Sequence, residues 1–171
     1  MSHERVGPAG ERVLDPAARM QHARDIAWRQ LDRRDRTVAE MRETLADKRV
    51  EPELIEHVVD ELARSGYLDD ARYAQRFAED RRRLDSWGSD RIERRLRVLG
   101  VESDLIAAAV AEQSSEDELA AALGLLERRF PRPPETPQDC DRALGVLVRK
   151  GYGLELAYDA LRRHAGVREL D

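Results

Sequence analysis

Apolar residues recur along this chain at helical spacing, in short blocks that open at capping residues and close at glycines. Met20, Ala23, Ile26, Ala27, Trp28 and Leu31 follow the cap and first-turn proline of Asp15-Pro16, which predicts a first helix to about Arg34. Thr37-Val38-Ala39-Glu40 is a capping box, in which the threonine accepts from the third amide and the glutamate reaches back, and Met41 and Leu45 continue the stripe. Glu51-Pro52 opens a third helix with Leu54, Ile55, Val58, Val59 and Leu62 on one face, and Gly66 stops it. Three helices on short turns make one unit.

The stretch Gly66-Tyr67-Leu68-Asp69-Asp70 is a joint. Gly66 suits the left-handed position that ends a helix, Tyr67 and Leu68 are apolar enough to dock back, and Asp69 or Asp70 is placed to cap the helix that follows. Ala71, Tyr73, Ala74, Phe77 and Ala78 begin that helix, which turns very basic at Arg81-Arg82-Arg83 before Asp85-Ser86-Trp87-Gly88 interrupts it. Ser89 or Asp90 is the expected cap of the next, with Ile92, Leu96 and Leu99 inward and Gly100 as terminator, and Leu105, Ile106, Ala109 and Val110 form another inward face. The third unit begins at Ser115-Glu116-Asp117-Glu118, read as a second capping box, and carries Leu119, Leu123, Leu126 and Phe130 up to a stiff loop at Pro131-Arg132-Pro133-Pro134. Thr136-Pro137 opens a helix that runs to Gly151, and Leu156, Ala157, Ala160 and Leu161 make the last face before Gly166.

Sliding the chain by 51 places lays Met41, Leu45, Val50, Ile55 and Val58 over Ile92, Leu96, Val101, Ile106 and Ala109, and a second equal slide reaches Ala143, Leu147, Tyr152, Ala157 and Ala160. The glycines Gly100 and Gly151 coincide as well. One such unit cannot easily bury its faces alone, whereas stacked units can. The expected fold is all-α: three tandem three-helix repeats, over residues 15–68, 69–114 and 115–171, forming an elongated, curved array behind a mobile arm at residues 1–14.

Composition supports extension, because 41% hydrophobic, 38% charged and 5% aromatic content leaves little for one deep core. The net charge of −5 hides segregation. Arg72 to Arg97 holds nine arginines against five acids, while Glu51 to Asp70 holds seven acids and only Arg64. Glu102 to Glu118 has six acids and no base. Bands of both signs suit a partner that presents both, such as a protein filament on nucleic acid. Arg72, Arg76, Arg82 and Arg83 are spaced to share a helical face, with Arg91, Arg94 and Arg95 on the next helix adding to it. Trp28 belongs to an apolar stripe and is expected in the core, and Trp87 is equally open to packing and to stacking on a base.

Other chemistry is thin. His3, His22, His57 and His164 are too scattered for a metal set, and Cys140 has neither a disulfide partner nor a zinc-like neighbour. No phosphate loop, dinucleotide fingerprint or nucleophile elbow is present, so neither an enzyme nor a cofactor is expected. The start Met1-Ser2-His3-Glu4-Arg5 lacks the apolar run of a secretion signal, no membrane span is visible, and a cytoplasmic, monomeric protein is the expectation.

The residues resemble the RecX family of bacterial recombination regulators. The match is carried by Gly66-Tyr67-Leu68-Asp69-Asp70-Ala71-Arg72-Tyr73-Ala74, by Arg33-Arg34 and Ala39-Glu40-Met41-Arg42, by Gly88 with Arg91-Ile92 and Leu96, and by Leu147-Val148-Arg149-Lys150-Gly151-Tyr152. The resemblance implies a modulator of the RecA recombinase that lies in the groove of the RecA–single-stranded DNA filament and limits its growth, ATP hydrolysis and strand exchange. Candidate contacts to filament or DNA are Arg33, Arg34, Arg36, Arg42, Arg72, Arg76, Arg81, Arg82, Arg83, Arg91, Arg94, Arg95, Arg149 and Lys150. Two other classes stay open: a DNA-binding helical-repeat protein acting without RecA, and a helical adaptor for another protein.

Overall fold

The computed structural model describes residues 15–166. The expected arm at residues 1–14, with His3, lies outside the described residues, as do residues 167–171. The described residues form nine helices and no strand: α1 Pro16–Leu31, α2 Val38–Asp47, α3 Pro52–Arg64, α4 Asp70–Asp85, α5 Ser89–Val98, α6 Ser103–Ala111, α7 Ser115–Arg129, α8 Pro137–Lys150 and α9 Leu154–His164.

The helices pack in threes around three separate cores. The first gathers Ala23, Ile26, Met41, Leu45, Val58 and Leu62, the second Ala74, Ile92, Leu96 and Ile106, and the third Leu126, Ala143, Leu147, Ala157 and Ala160. Residues related by the slide occupy the same place in each unit. Met41, Ile92 and Ala143 are fully buried, and so are Leu45, Leu96 and Leu147. The inward face of each helix follows from its 3.6-residue period, and burial of these side chains holds each unit together.

Adjacent units are joined by one scheme used twice. At the first joint the N-terminus of α2 meets the C-terminus of α5: Thr37 Oγ1 donates to the Leu99 carbonyl at 2.7 Å, and the Val38 N–H donates to Asp70 Oδ1 at 2.9 Å. At the second, the N-terminus of α5 meets the C-terminus of α8. The Gly88 N–H donates to the Lys150 carbonyl at 2.9 Å, and the Ser89 N–H donates to Glu118 Oε1 at 2.7 Å. Thr37 and Gly88, Val38 and Ser89, and Leu99 and Lys150 are each 51 residues apart. In both joints the positive end of one middle helix abuts the negative end of the next, and a carboxylate from the following unit takes its first free N–H.

Close approach at these joints requires glycine. A Cβ on Gly100 would lie 2.3 Å from that of Ala39, and one on Gly151 would lie 2.2 Å from that of Arg91. Both glycines also hold left-handed backbone, with φ +77° and +89°, a region in which a side chain costs about 1–2 kcal/mol.

Several local expectations change in three dimensions. The capping box at Thr37 and Glu40 is present, with Glu40 Nα donating to Thr37 Oγ1 at 3.1 Å. Ser115 does not open a second one: α7 is capped by Ser114, whose hydroxyl accepts from the Asp117 N–H, and Glu118 serves α5 instead. Gly88, not Ser89 or Asp90, is the N-cap of α5. At the joint, Asp69 caps α4 through the Arg72 N–H, whereas Asp70 reaches back to α2. Burial pushes the Asp70 carboxyl up, against the Val38 hydrogen bond that favours its ionised form. Leu68 is buried in the first core, but Tyr67 is exposed and packs edge-on against Trp28 at 4.6 Å. Trp28 is itself 38% exposed, so the tryptophan expected in the core is a surface residue sharing a ring contact.

Thr37 is the fully buried polar residue of the first joint, and both its functions depend on the hydroxyl. Thr37→Val keeps the shape but removes the cap and leaves the Leu99 carbonyl without its donor. A loss of about 2 kcal/mol in urea denaturation is expected, with Thr37→Ser recovering most of it.

Candidate functional site

The basic helices of the second unit form a groove of about 670 Å³ lined by Phe77, Arg81, Trp87, Arg91, Arg94, Arg95 and Val98. The rings are positioned by α4 and the loop after it. Tyr73 and Phe77, four residues apart on α4, stack at 6.3 Å, and Phe77 meets the edge-on Trp87 at 6.1 Å. The left-handed backbone of Ser86, φ +53°, turns the chain so that Trp87 folds back toward α4.

Arginines cover both the rings and their surroundings. Arg91 lies over Trp87 at 4.2 Å and donates from Nη1 to the Arg149 carbonyl at 3.0 Å. Arg81 lies 5.6 Å from Phe77 and 5.7 Å from Trp87, and pairs with Asp85. Such contacts hold a guanidinium with its edge still free to donate. Arg94 uses Nε on the Asp90 carbonyl, and Arg95 is exposed and makes no hydrogen bond or ion pair among the described residues.

A second groove of about 330 Å³ meets the first at Arg91 and is lined by Leu125, Arg129, Val146, Arg149 and Lys150. It belongs to the third unit, brought here by the joint: Lys150 Nζ donates to the Asp85 carbonyl at 2.6 Å, and Arg128 donates to Ser86 Oγ at 3.3 Å. Among the described residues no carboxylate lines either groove. By contrast, the groove between α7 and α9 sets Glu155 and Asp159 beside Arg162 and Arg163.

The remaining sequence candidates do not join this site. Arg34 is bound to Glu40 at 2.6 Å, which raises its pKa and helps hold Glu40 below the usual carboxylate range against the opposing effect of burial. Arg36 donates to Gln30 Oε1, Arg42 makes a forked pair with Glu56, and Arg76 reaches Asp35 at 3.3 Å. Arg72 donates to the Gly66 carbonyl, and Arg83 is exposed beside Asp80. Arg33 is exposed in the turn between α1 and α2.

Arg82 departs most from the shared-face expectation. It turns inward, half-buried, and donates to the Val110 carbonyl at 2.9 Å and more weakly to that of Ala109. Burial lowers its pKa, and Glu118, Glu112 and Glu79 oppose that effect. A cation at the C-terminus of α6 completes that helix. Arg129 was absent from the sequence candidates; the basic pair Arg128-Arg129 in the last turn of α7 was the available signal, but its neighbours were not.

Three docked three-helix units with an acid-free arginine groove crossing one joint define a helical-repeat protein. Models described as the first and second three-helix domains of RecX match residues 23–62 and 69–110. The regulatory protein RecX of Thermobifida fusca is 32% identical, covering 92% of this chain and 86% of its own. That of Trichlorobacter lovleyi is 38% identical, covering 76% and 87% respectively. The chain belongs to the RecX family of regulatory proteins. The crystal structure of RecX from Lactobacillus salivarius superposes with a TM-score of 0.77 over 86% of this chain and 97% of that one, at 15% identity, which bears on the fold alone. Among the described residues no helix is long and apolar enough to cross a membrane.

Proposed function

We propose that this protein binds the RecA filament on single-stranded DNA and limits its growth, ATP hydrolysis and strand exchange, as a regulator of DNA repair and recombination. The observation that carries the reading is the twice-used joint, which sets successive units in the same relation to one another. A polymer of identical protomers offers contacts at regular intervals, and linked units that meet them in register gain avidity without any single strong contact. Alternating basic and acidic helices complement a surface that carries both protein and phosphate charge. The working form in this reading is a cytoplasmic monomer.

The test is RecA ATPase and strand exchange with the full chain added. Inhibition is expected, and joint reversal of the exposed Arg83, Arg94 and Arg95 to glutamate is expected to weaken it about tenfold. Unchanged ATPase and strand exchange at a large excess of protein would overturn the proposal. The acid-free groove also favours a second reading, direct DNA binding without RecA, which would make inhibition track affinity for naked DNA.

A further inference from the structure

We infer that the two grooves meeting at Arg91 form one phosphodiester track, on which a single-stranded nucleic acid crosses the joint between the second and third units with its phosphates, rather than its bases, held. The inference rests on the filament reading for its setting and adds which part of the molecule touches the strand, and how.

Charge selects the class of ligand. The chain carries more acids than bases, with a net charge of −5, yet among the described residues neither groove has a carboxylate in its lining. The acids nearby are engaged or lie beyond the edge of the first groove: Asp85 pairs with Arg81, Glu93 with Arg97 at 3.5 Å, and Asp90 and Glu93 line an adjoining groove that shares Arg94 with the first. An occupant must therefore bring negative charge along its length. A phosphodiester chain does so at every residue and needs no apolar anchor.

The geometry of Trp87 decides between phosphate and base. A tryptophan beside basic residues suggests base stacking, but Arg91 lies over this ring at 4.2 Å, Arg81 lies 5.7 Å from its centre and Phe77 packs against it. A base would have to displace a guanidinium that is also bonded to the Arg149 carbonyl. Trp87 is thus a positioning residue, fixing Arg91 where Arg94 and Arg95 keep donors free. Fixed forks lose less freedom on binding an oxyanion than mobile side chains do.

The repeat isolates the feature. At the positions related to Trp87, Arg94 and Arg95, the first unit has Arg36, Glu43 and Thr44 and the third has Gln138, Gly145 and Val146. The scaffold recurs three times, but among the described residues the arginine-covered rings occur once. A single strand changes direction between grooves at little cost, whereas a duplex, with a persistence length of about 150 base pairs, resists any such bend.

The experiment is fluorescence anisotropy of the full chain with a labelled oligothymidine of about 15 nucleotides, without RecA, across a salt series. Binding with a log–log salt slope of about −2 to −3 is expected, as for three or four neutralised phosphates on a single strand. An abasic strand of equal length should bind within about twofold, and a duplex of the same length about tenfold more weakly. Arg94→Glu with Arg95→Glu should reduce affinity at least about tenfold and flatten the slope by about 1.4, with unchanged circular dichroism. Trp87→Leu should weaken binding several-fold without making the abasic strand a poorer ligand than oligothymidine. Salt-insensitive or undetectable binding, equal binding of duplex, loss of the abasic ligand by tenfold, or indifference to the double reversal would each overturn the track. Because RecA is absent, failure here is separate from failure to inhibit the recombinase.

Discussion

Gly151→Ala is expected to uncouple the third unit from the second while leaving each unit's helices in place. The added methyl would meet Arg91 Cβ at 2.2 Å and the Arg91 backbone nitrogen at 2.5 Å, and the residue would have to hold φ +89°. Neither contact is the flexible end of a side chain, so relief requires α5 to move off the end of α8. The left-handed backbone costs about 1–2 kcal/mol and the overlap a comparable amount, for a total near 3 kcal/mol. Gly88→Ala attacks the same joint from the other side, with its Cβ 2.4 Å from the Gly151 carbonyl oxygen. Gly153→Ala is the steric control, since nothing lies within 4 Å of its Cβ and its φ is −57°, and its cost is confined to the weaker N-cap that alanine gives α9. Denaturant titrations should show an early transition of the third unit in the first two variants and none in the control. If the filament reading holds, the same two variants should lose inhibition of RecA while retaining most of their helicity, because units out of register forfeit avidity.

Arg82→Glu should cost about 2–3 kcal/mol of stability, while Arg83→Glu, one residue along, should cost less than about 0.5 kcal/mol. The two side chains look interchangeable in the run Arg81-Arg82-Arg83. Arg82, however, donates to carbonyls at the end of α6, and a carboxylate there would face those carbonyls together with Glu112 and Glu118. Arg83 is 75% exposed and has only a neighbouring Asp80, a contact of the kind that contributes little. Thermal melts of the two single variants are sufficient to separate them. The contrast also dictates how the site is probed: reversing all three arginines together would confound loss of folding with loss of binding.

The all-helical class and the threefold unit were legible because they rest on short-range rules. Met41, Leu45, Ile55 and Val58 share a face through helical spacing alone, and the slide maps them onto residues that are buried in all three cores. The Thr37–Glu40 capping box and the helix ends at Gly66, Gly100 and Gly151 needed nothing beyond a few neighbouring residues. The candidate site was legible only as a region. Arg91, Arg94, Arg95 and Arg149 were among its candidates, but so were Arg34 and Arg42, which the fold engages with Glu40 and Glu56.

Misreadings fell where a local signal was used at long range. Asp70 and Glu118 look like caps for their own helices, and they cap α2 and α5 across the joints. Trp28 sits on an apolar stripe yet ends at its edge against Tyr67, because small residues, Ala23 and Ala27, occupy the centre.

Helix positions, inward faces and the repeat of 51 residues were written locally along the chain, since hydrogen bonding and burial within a unit involve near neighbours. The joints and the arginine track were not, because their partners lie between 29 and 65 residues apart and are matched by backbone carbonyls and close approach that no residue pattern displays. Whether an arginine is a strut or a free donor depends on which carbonyl or carboxylate the folded units bring beside it.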